Sequence, residues 1–360
     1  MKATTVSLND LAEGSVTFPT LEEAFGESSL GILVVDDLPA RYVGLREKLL
    51  SYSSYLAQLP SEELDAVTDA TCHYELGWSH GKEALKDGQY DTLKGSYYVD
   101  CQSFYGSVVS APALDRGGQA TRGAGNNLWP PESAMPGFRA TFEELCTLLI
   151  EIGVLVAQAI DLYAAGKHIP HYQHGCLERI VRTSRTHKAR LLHYFPSNPT
   201  SSPSSTKSPS TSDSSDSEDS WCATHLDDGC LTALTSALYI DDSSPLPPLT
   251  AAGPDGLAIL PTSPDPTAGL YIHSRGSKVV KIDIPPDSIA FQTGEALQMI
   301  TGGRFKAVPH FVQGPDGANA TAIARNTLAL FMQPDIDEVI DKVKGMTYGQ
   351  FVDMIVQRHS

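Results

Sequence analysis

An imidazole and a carboxylate two residues apart on a strand point the same way and can grip one metal ion. The sequence holds two such pairs, His225-x-Asp227 and His73-x-Glu75. With 11 histidines and 43 acidic residues in 360, composition alone supplies about 1.3 of them. The spacing therefore decides nothing by itself, and a solvated His/Asp pair is the ordinary reading of either. A third ligand must come from another strand. His310, which follows the strand-like run Ala307-Val308, is placed to provide it, although a lone histidine there is more often a core residue. Fifteen residues later comes Arg325-x-Thr327, a guanidinium and a hydroxyl at alternate positions. Facing inward, that pair suits a carboxylate held by a charge-assisted fork and one hydroxyl bond. Facing outward, it is an ordinary surface arginine beside a strand threonine.

The ordered set of His225-x-Asp227, distant His310 and then Arg325-x-Thr327 closely resembles the 2-oxoglutarate/Fe(II)-dependent dioxygenases, in the branch with isopenicillin N synthase and the clavaminate synthase-like proteins. The flanking words match too. Trp221 to Thr235 is similar to the family's His-x-Asp strand with its following Gly and Leu-Thr pair. Gly294-Glu295-Ala296-Leu297 resembles its Gly-acid-x-Leu turn, and Gly302 to Ala307 the run before its distal histidine. The core resemblance covers roughly residues 188–334, and residues 29–165 look like the family's N-terminal region.

The resemblance implies a distorted double-stranded β-helix, or jelly roll, with Fe(II) held by His225, Asp227 and His310. Two imidazoles and one carboxylate leave three positions on an octahedral iron, two for the 2-oxo-carboxylate end of 2-oxoglutarate and one for O₂. Arg325 and Thr327 would hold the far carboxylate, and ascorbate is an optional reductant. Because Asp227 is retained, hydroxylation or desaturation is favoured over halogenation. There are departures. The family often has Asn-x-Tyr before a proline, whereas this chain has His193-Tyr194-Phe195-Pro196, so Tyr194 is the candidate for the missing hydroxyl. Thr327 replaces the commoner serine and keeps the hydroxyl. Some relatives with the same Arg-x-Ser pair do not use 2-oxoglutarate, so an Fe(II) oxidase of the same fold is the alternative.

Two other readings compete. Cys222-x-x-His225 with Cys230, and His174-x-Cys176 upstream, could form a structural zinc site, but a second clean ligand pair is lacking. A non-enzymatic binding or scaffold protein has no physical need for all five polar residues.

The elements that must position these residues are legible in part. Residues 31–35 form an apolar run that predicts a buried strand, and apolar residues from Tyr42 to Leu59 recur at helical spacing. Thr141 with Glu144 is a capping-box pattern that predicts a helix from Phe142 to about Tyr163. Leu270–His273 and Val279–Ile282 flank a turn and predict a hairpin. Residues 288–292, 307–308 and 327–331 supply further short strands, and many short strands separated by Gly, Pro and Asp argue for a sandwich or jelly roll. The fold class expected is mainly β with flanking helices. The expected layout is an N-terminal mixed region at 1–165, the β-helix core at 166–334, and C-terminal helices at 335–360, the last opened by Thr347 and Gln350. Within the core, residues 197–220 contain twelve serines and no aliphatic or aromatic side chain, which predicts a disordered loop. The stretches 73–82 and 94–98 are rich in aromatic and cationic groups. They suit either a pocket wall, with Lys82 or Lys94 facing an anionic substrate, or simple packing. The loops from 99 to 130 could form a lid.

Lysine plus arginine is 26 against 43 aspartate plus glutamate, a net charge of −17. Such a surface repels phosphate backbones and anionic lipid, so neither nucleic acid nor a membrane is an expected partner. The most apolar stretch, 145–163, is interrupted by Glu151 and Asp161 and reads as a buried helix. Six scattered cysteines and an N-terminus without an apolar signal core lead to the expectation of a cytoplasmic protein acting on a small molecule.

Overall fold

The structure, a computed structural model, describes residues 2–82, 91–105, 127–196, 221–275, 278–315 and 322–359. The serine-rich stretch expected to be disordered and most of the candidate lid lie outside the described residues.

The chain opens with β1 (Thr4–Ser7), α1 (Leu8–Glu13), α2 (Phe18–Phe25), β2 (Ile32–Asp36), α3 (Arg41–Ala57) and α4 (Ser61–Ala66). Next come β3 (Gly77–His80), β4 (Lys94–Asp100), α5 (Phe138–Gly166), α6 (Cys176–Thr183) and β5 (Lys188–Tyr194). The strands β6 (Cys222–His225), β7 (Leu231–Thr235), β8 (Leu238–Asp241), β9 (Ile259–Leu260), β10 (Gly269–His273) and β11 (Val279–Ile282) follow. The chain ends with β12 (Ile289–Thr293), α7 (Glu295–Ile300), β13 (His310–Gln313), β14 (Ile323–Met332), β15 (Val339–Asp341), β16 (Met346–Thr347) and α8 (Tyr348–His359).

Two sheets face each other. The major sheet runs β1-β2-β12-β7-β14-β5-β4-β3, with β8 and β9 continuing beside β14, and the minor sheet runs β11-β10-β13-β6. The result is mainly β with flanking helices, the jelly-roll class. Alternation along each strand sorts the residues. Leu33, Val35, Phe291, Leu328, Leu330 and Met332 join the core under the helices, whereas Ile32, Val34, Ala290 and Ala329 join the smaller cluster between the sheets. The N-terminal third is not a separate layer. Its strands β1 to β4 are hydrogen-bonded into both ends of the same major sheet.

Helix α3 buries Tyr42, Leu49, Tyr52 and Leu56 against this sheet, as its periodicity predicts. It also delivers a buried cation. Between β7 and β8 the ladder breaks, and Arg46 donates from Nε to the Ser236 carbonyl (2.9 Å) and from a terminal nitrogen to that of Ala237 (2.8 Å). A kink that would orphan two carbonyls is thereby satisfied.

Helix α5 has the length and apolarity of a membrane span, but most of it is buried within the protein. Gly153 permits its close approach, since a Cβ there would overlap the Met332 methyl. The helix starts four residues before the expected point. Gly137, at φ +75°, is its N-cap, and the Glu132 carboxylate accepts the Gly137 N–H at 2.9 Å. Thr141 lies inside the helix and returns its hydroxyl to the Gly137 carbonyl, so it forms no capping box. Two other expectations are also corrected. Ala307-Val308 forms no strand but leads into β13, with the Val308 N–H bonded to the Thr293 carbonyl at 3.2 Å, and the first of the two C-terminal helices is instead the short β15–β16 hairpin. The second is α8, where Thr347 and Gln350 exchange the two capping-box hydrogen bonds.

Candidate metal centre

His225 ends β6 and His310 begins β13, and the two stand opposite each other in the antiparallel ladder of the minor sheet. Asp227 lies just past the end of β6, in the turn toward β7. The ligand atoms of these three side chains all fall within 4.8 Å of one another, and they form the only such group among the described residues. Both imidazole Nε2 atoms lie 3.8 Å from Asp227 Oδ1.

The backbone sets the tautomers. His225 Nδ1 bonds the Ala223 carbonyl at 2.8 Å and His310 Nδ1 the Val308 carbonyl at 2.9 Å. A carbonyl only accepts, so each Nδ1 carries a proton, and in the neutral ring it is the Nε2 lone pair that faces the centre. Asp227 Oδ2 accepts from the Thr232 hydroxyl and from Gln292 Nε2, both at 2.6 Å, which leaves Oδ1 facing the histidines.

At Asp227 and His310 the electrostatics suit a cation. Burial raises the Asp227 carboxyl, but His310, His225 and the two hydrogen bonds outweigh it and hold the group below the usual carboxylate range. Burial lowers His310, which favours the neutral imidazole that a metal requires. His225 differs: against the pull of desolvation, its contacts with Cys222 and Asp227 push it up to about 9, so in the metal-free protein its Nε2 holds a proton that a metal must displace.

The turn holding Asp227 is shaped by the start of α7. Glu295 N–H donates to the Asp227 carbonyl at 2.8 Å, and Gly294 N–H to that of Cys230 at 3.1 Å. A Cβ at Gly294 would overlap the Gly229 carbonyl oxygen and lie 2.7 Å from that of Asp227. Both are backbone atoms that cannot swing away. Gly294→Ala is therefore expected to cost about 1–3 kcal/mol of stability and to weaken Fe(II) binding by displacing the ligand turn. A denaturant midpoint and an anaerobic metal titration read the two effects, and wild-type values in both would refute this account of the glycine.

The three ligands open onto a cavity of about 700 Å³ whose wall also includes Arg325, Thr327, Tyr194 and Arg190. Arg325 is buried, and its Nε and one terminal nitrogen have no hydrogen-bond partner among the described residues. Its guanidinium carbon sits 4.9 Å from the centroid of the Tyr194 ring, which in turn packs 5.1 Å from that of Trp221. Tyr194 thus meets Arg325 through its ring face. Thr327 is two residues along on the same face, its hydroxyl 3.3 Å from the Thr235 carbonyl.

Other candidates fall elsewhere. His73 and Glu75 lie in a turn, with Glu75 paired to Lys188 at 3.3 Å. Cys222 is 3.8 Å from His225 Nδ1, but no zinc-like group of Cys222, Cys230, His174 and Cys176 is gathered among the described residues. Neither lysine considered for the wall lines the cavity. Lys94 is buried in an ion pair with Asp91 at 2.9 Å, and exposed Lys82 lies over the Tyr74 ring. Trp78 packs on Gly95. Besides Arg325, the cavity wall carries the cations Arg46, Lys281 and Arg190, none of which the sequence singles out, and Arg190 stands nearest Arg325 and Tyr194 in the strand order, on β5 beside β14. Ser96 Oγ accepts from its Nε (3.1 Å) and one terminal nitrogen (2.8 Å), and its guanidinium lies over the Tyr98 ring. Thr232 and Gln292 were missed as well. The available signal was a pair of polar residues at inward positions of otherwise apolar strands.

No family model matches the chain. The 2-oxoglutarate-dependent dioxygenase frbA of Dothideomycetidae sp. (strain 11243) is 22% identical over 224 residues, covering 60% of this chain and 52% of that protein. The chain thus spans about half the length of the curated relative it matches. Among solved structures, a full-length Neurospora crassa protein in complex with alpha-KG (2-oxoglutarate) is similar with a TM-score of 0.64 and 16% identity, over 99% of this chain and 96% of that one. The same Neurospora crassa protein has also been solved with thymine and with 5-formyluracil. The rice dioxygenase for auxin oxidation gives a TM-score of 0.59 and 15% identity, over 100% and 96% of the two chains. The chain has the fold of the 2-oxoglutarate/Fe(II)-dependent oxygenases, and its curated relative is such a dioxygenase. These relatives do not single out the isopenicillin N synthase branch.

Proposed function

We propose that the protein is an Fe(II)- and 2-oxoglutarate-dependent dioxygenase that hydroxylates or desaturates a small organic molecule. The observation that carries this reading is the sharing of one cavity by the His225, Asp227 and His310 group and by a buried arginine with two unpartnered nitrogens. The residues fit the groups they would hold. Two imidazoles in the Nε2-presenting tautomer and one carboxylate oxygen are the donor set of a facial triad, which suits Fe(II). The orphaned face of Arg325 is a cation removed from water, and a carboxylate would satisfy both charge and hydrogen bonds there.

When bound, iron and 2-oxoglutarate supply with O₂ an oxidant for a C–H bond, with succinate and CO₂ as by-products. The chain's own residues do the rest. Arg325 and Thr327 anchor the far carboxylate, so that the cosubstrate's other end is held toward the histidines. Tyr194 braces the guanidinium from below. The cavity's volume suits a small molecule, and the thymine and 5-formyluracil complexes of the Neurospora crassa protein support that reading. Arg190, opposite Ala329 in the β5–β14 ladder, gives the wall a fixed cation suited to a substrate with a carboxylate or carbonyl group.

The test is succinate formation by the Fe(II)-reconstituted protein, alone and against a panel of small carboxylates and heteroaromatic bases. Slow iron-dependent succinate release, accelerated by members of the panel, is expected. Oxygen consumption without 2-oxoglutarate would point instead to an oxidase of the same fold.

A further inference from the structure

Gln292 and Thr232 are cross-strand partners on β12 and β7, and both donate to the same oxygen, Asp227 Oδ2. Both residues are fully buried. The glutamine amide can only be oriented this way, because the flipped form would set its oxygen against a carboxylate oxygen. The same nitrogen packs 3.2 and 3.3 Å from Nε2 and Nδ1 of His310, but its hydrogen bond goes to Asp227, since His310 Nδ1 is itself a donor to the Val308 carbonyl and Nε2 faces the metal position. The orientation has a cost: Gln292 Oε1 is buried with no hydrogen-bond partner among the described residues. A buried orphan acceptor destabilises a fold, and an apolar side chain of similar shape would avoid it. Gln292 is therefore unfavourable to stability at its own position and useful to the carboxylate beside it.

We propose that Gln292 and Thr232 form a clamp that restricts Asp227 to a single metal-ligating oxygen, making both positioning residues for cosubstrate binding. A free carboxylate can turn both oxygens toward a metal. Doing so would occupy a position that 2-oxoglutarate, which takes two, must share with O₂. Two short hydrogen bonds to Oδ2 hold that oxygen away. The inference rests on the function proposed above.

The experiment compares wild type with Gln292→Met, Thr232→Val and the double variant, using Co(II) as an air-stable stand-in for Fe(II). Metal affinity is measured first, and 2-oxoglutarate affinity then at saturating metal, both by calorimetry, with a urea midpoint for each protein. Loss of an outer hydrogen bond is expected to weaken metal binding about 10- to 100-fold. The decisive readout is the second. At saturating metal, 2-oxoglutarate is expected to bind at least about tenfold more weakly in the double variant, while the urea midpoint of Gln292→Met is unchanged or raised. A merely structural role would lower the midpoint and leave 2-oxoglutarate affinity at saturating metal intact. That result overturns the clamp while leaving the enzyme assignment standing. A wild-type protein that binds metal but not 2-oxoglutarate overturns both.

Discussion

Asp227→Asn is expected to lower Fe(II) affinity by at least about 100-fold, a loss of one charged ligand's share of the binding energy, while the protein remains folded. The substitution conserves volume, so the buried site does not collapse. It fails as a ligand for a specific reason. Thr232 and Gln292 both donate to Oδ2, and asparagine has one oxygen to offer them. Satisfying those donors turns the amide NH₂ toward His225 and His310, where a hydrogen-bond donor replaces a metal ligand. Anaerobic Fe(II) titration reads the affinity, and far-ultraviolet circular dichroism reads the fold. Fe(II) affinity within tenfold of wild type would remove Asp227 from the ligand set.

The second large effect concerns Arg325. Arg325→Leu is expected to weaken 2-oxoglutarate binding to the metal-loaded protein by about 100-fold, the worth of a desolvated bidentate charge pair near 3 kcal/mol. Stability should respond differently. In the ligand-free protein Arg325 is a buried cation with two unpartnered nitrogens, set over the Tyr194 ring. Replacing it removes a desolvation penalty along with a cation–π contact, so the ligand-free urea midpoint should be unchanged or raised, within about 1 kcal/mol. At 100 times its dissociation constant, 2-oxoglutarate should stabilise the wild-type metal-loaded protein by about 2.7 kcal/mol. The same concentration should scarcely stabilise the variant. Equal stabilisation of both proteins would place the cosubstrate carboxylate elsewhere.

Strand and helix periodicity makes much of the scaffold legible, because the residues that alternate or recur are the ones that fill the core. The run at β2, the apolar stripe of α3, the β10–β11 hairpin and the capping box that opens α8 all read directly from local pattern. The errors share a cause, which is that tertiary partners override local signals. Thr141 and Glu144 have capping-box spacing, but Gly137 and the Glu132 carboxylate start α5 a turn earlier. Residues 339–347 lack a strand's length, and their pairing is visible only in three dimensions. The N-terminal strands read as a region packed on the core because strand order in a sheet is not written in sequence order.

At the site, the spacing His225-x-Asp227 and the distant His310 are visible in the sequence, and the structure brings these three together. Their supports are not visible there. Thr232 and Gln292 are ordinary strand residues until the β7–β12 register places them on one carboxylate oxygen. Arg190 is noticed only once β5 shows which of its faces lines the cavity. Gly294 stands out as part of a motif, but its reason, the absence of room beside two backbone carbonyls, belongs to the fold.

The most direct test of the central claim is an anaerobic titration of the metal-free protein with Fe(II) and then 2-oxoglutarate, followed by visible absorption. A weak charge-transfer band that needs both additions, and that is lost in Asp227→Asn and requires far more 2-oxoglutarate in Arg325→Leu, is the predicted result. Iron binding with no band at any 2-oxoglutarate concentration would contradict it.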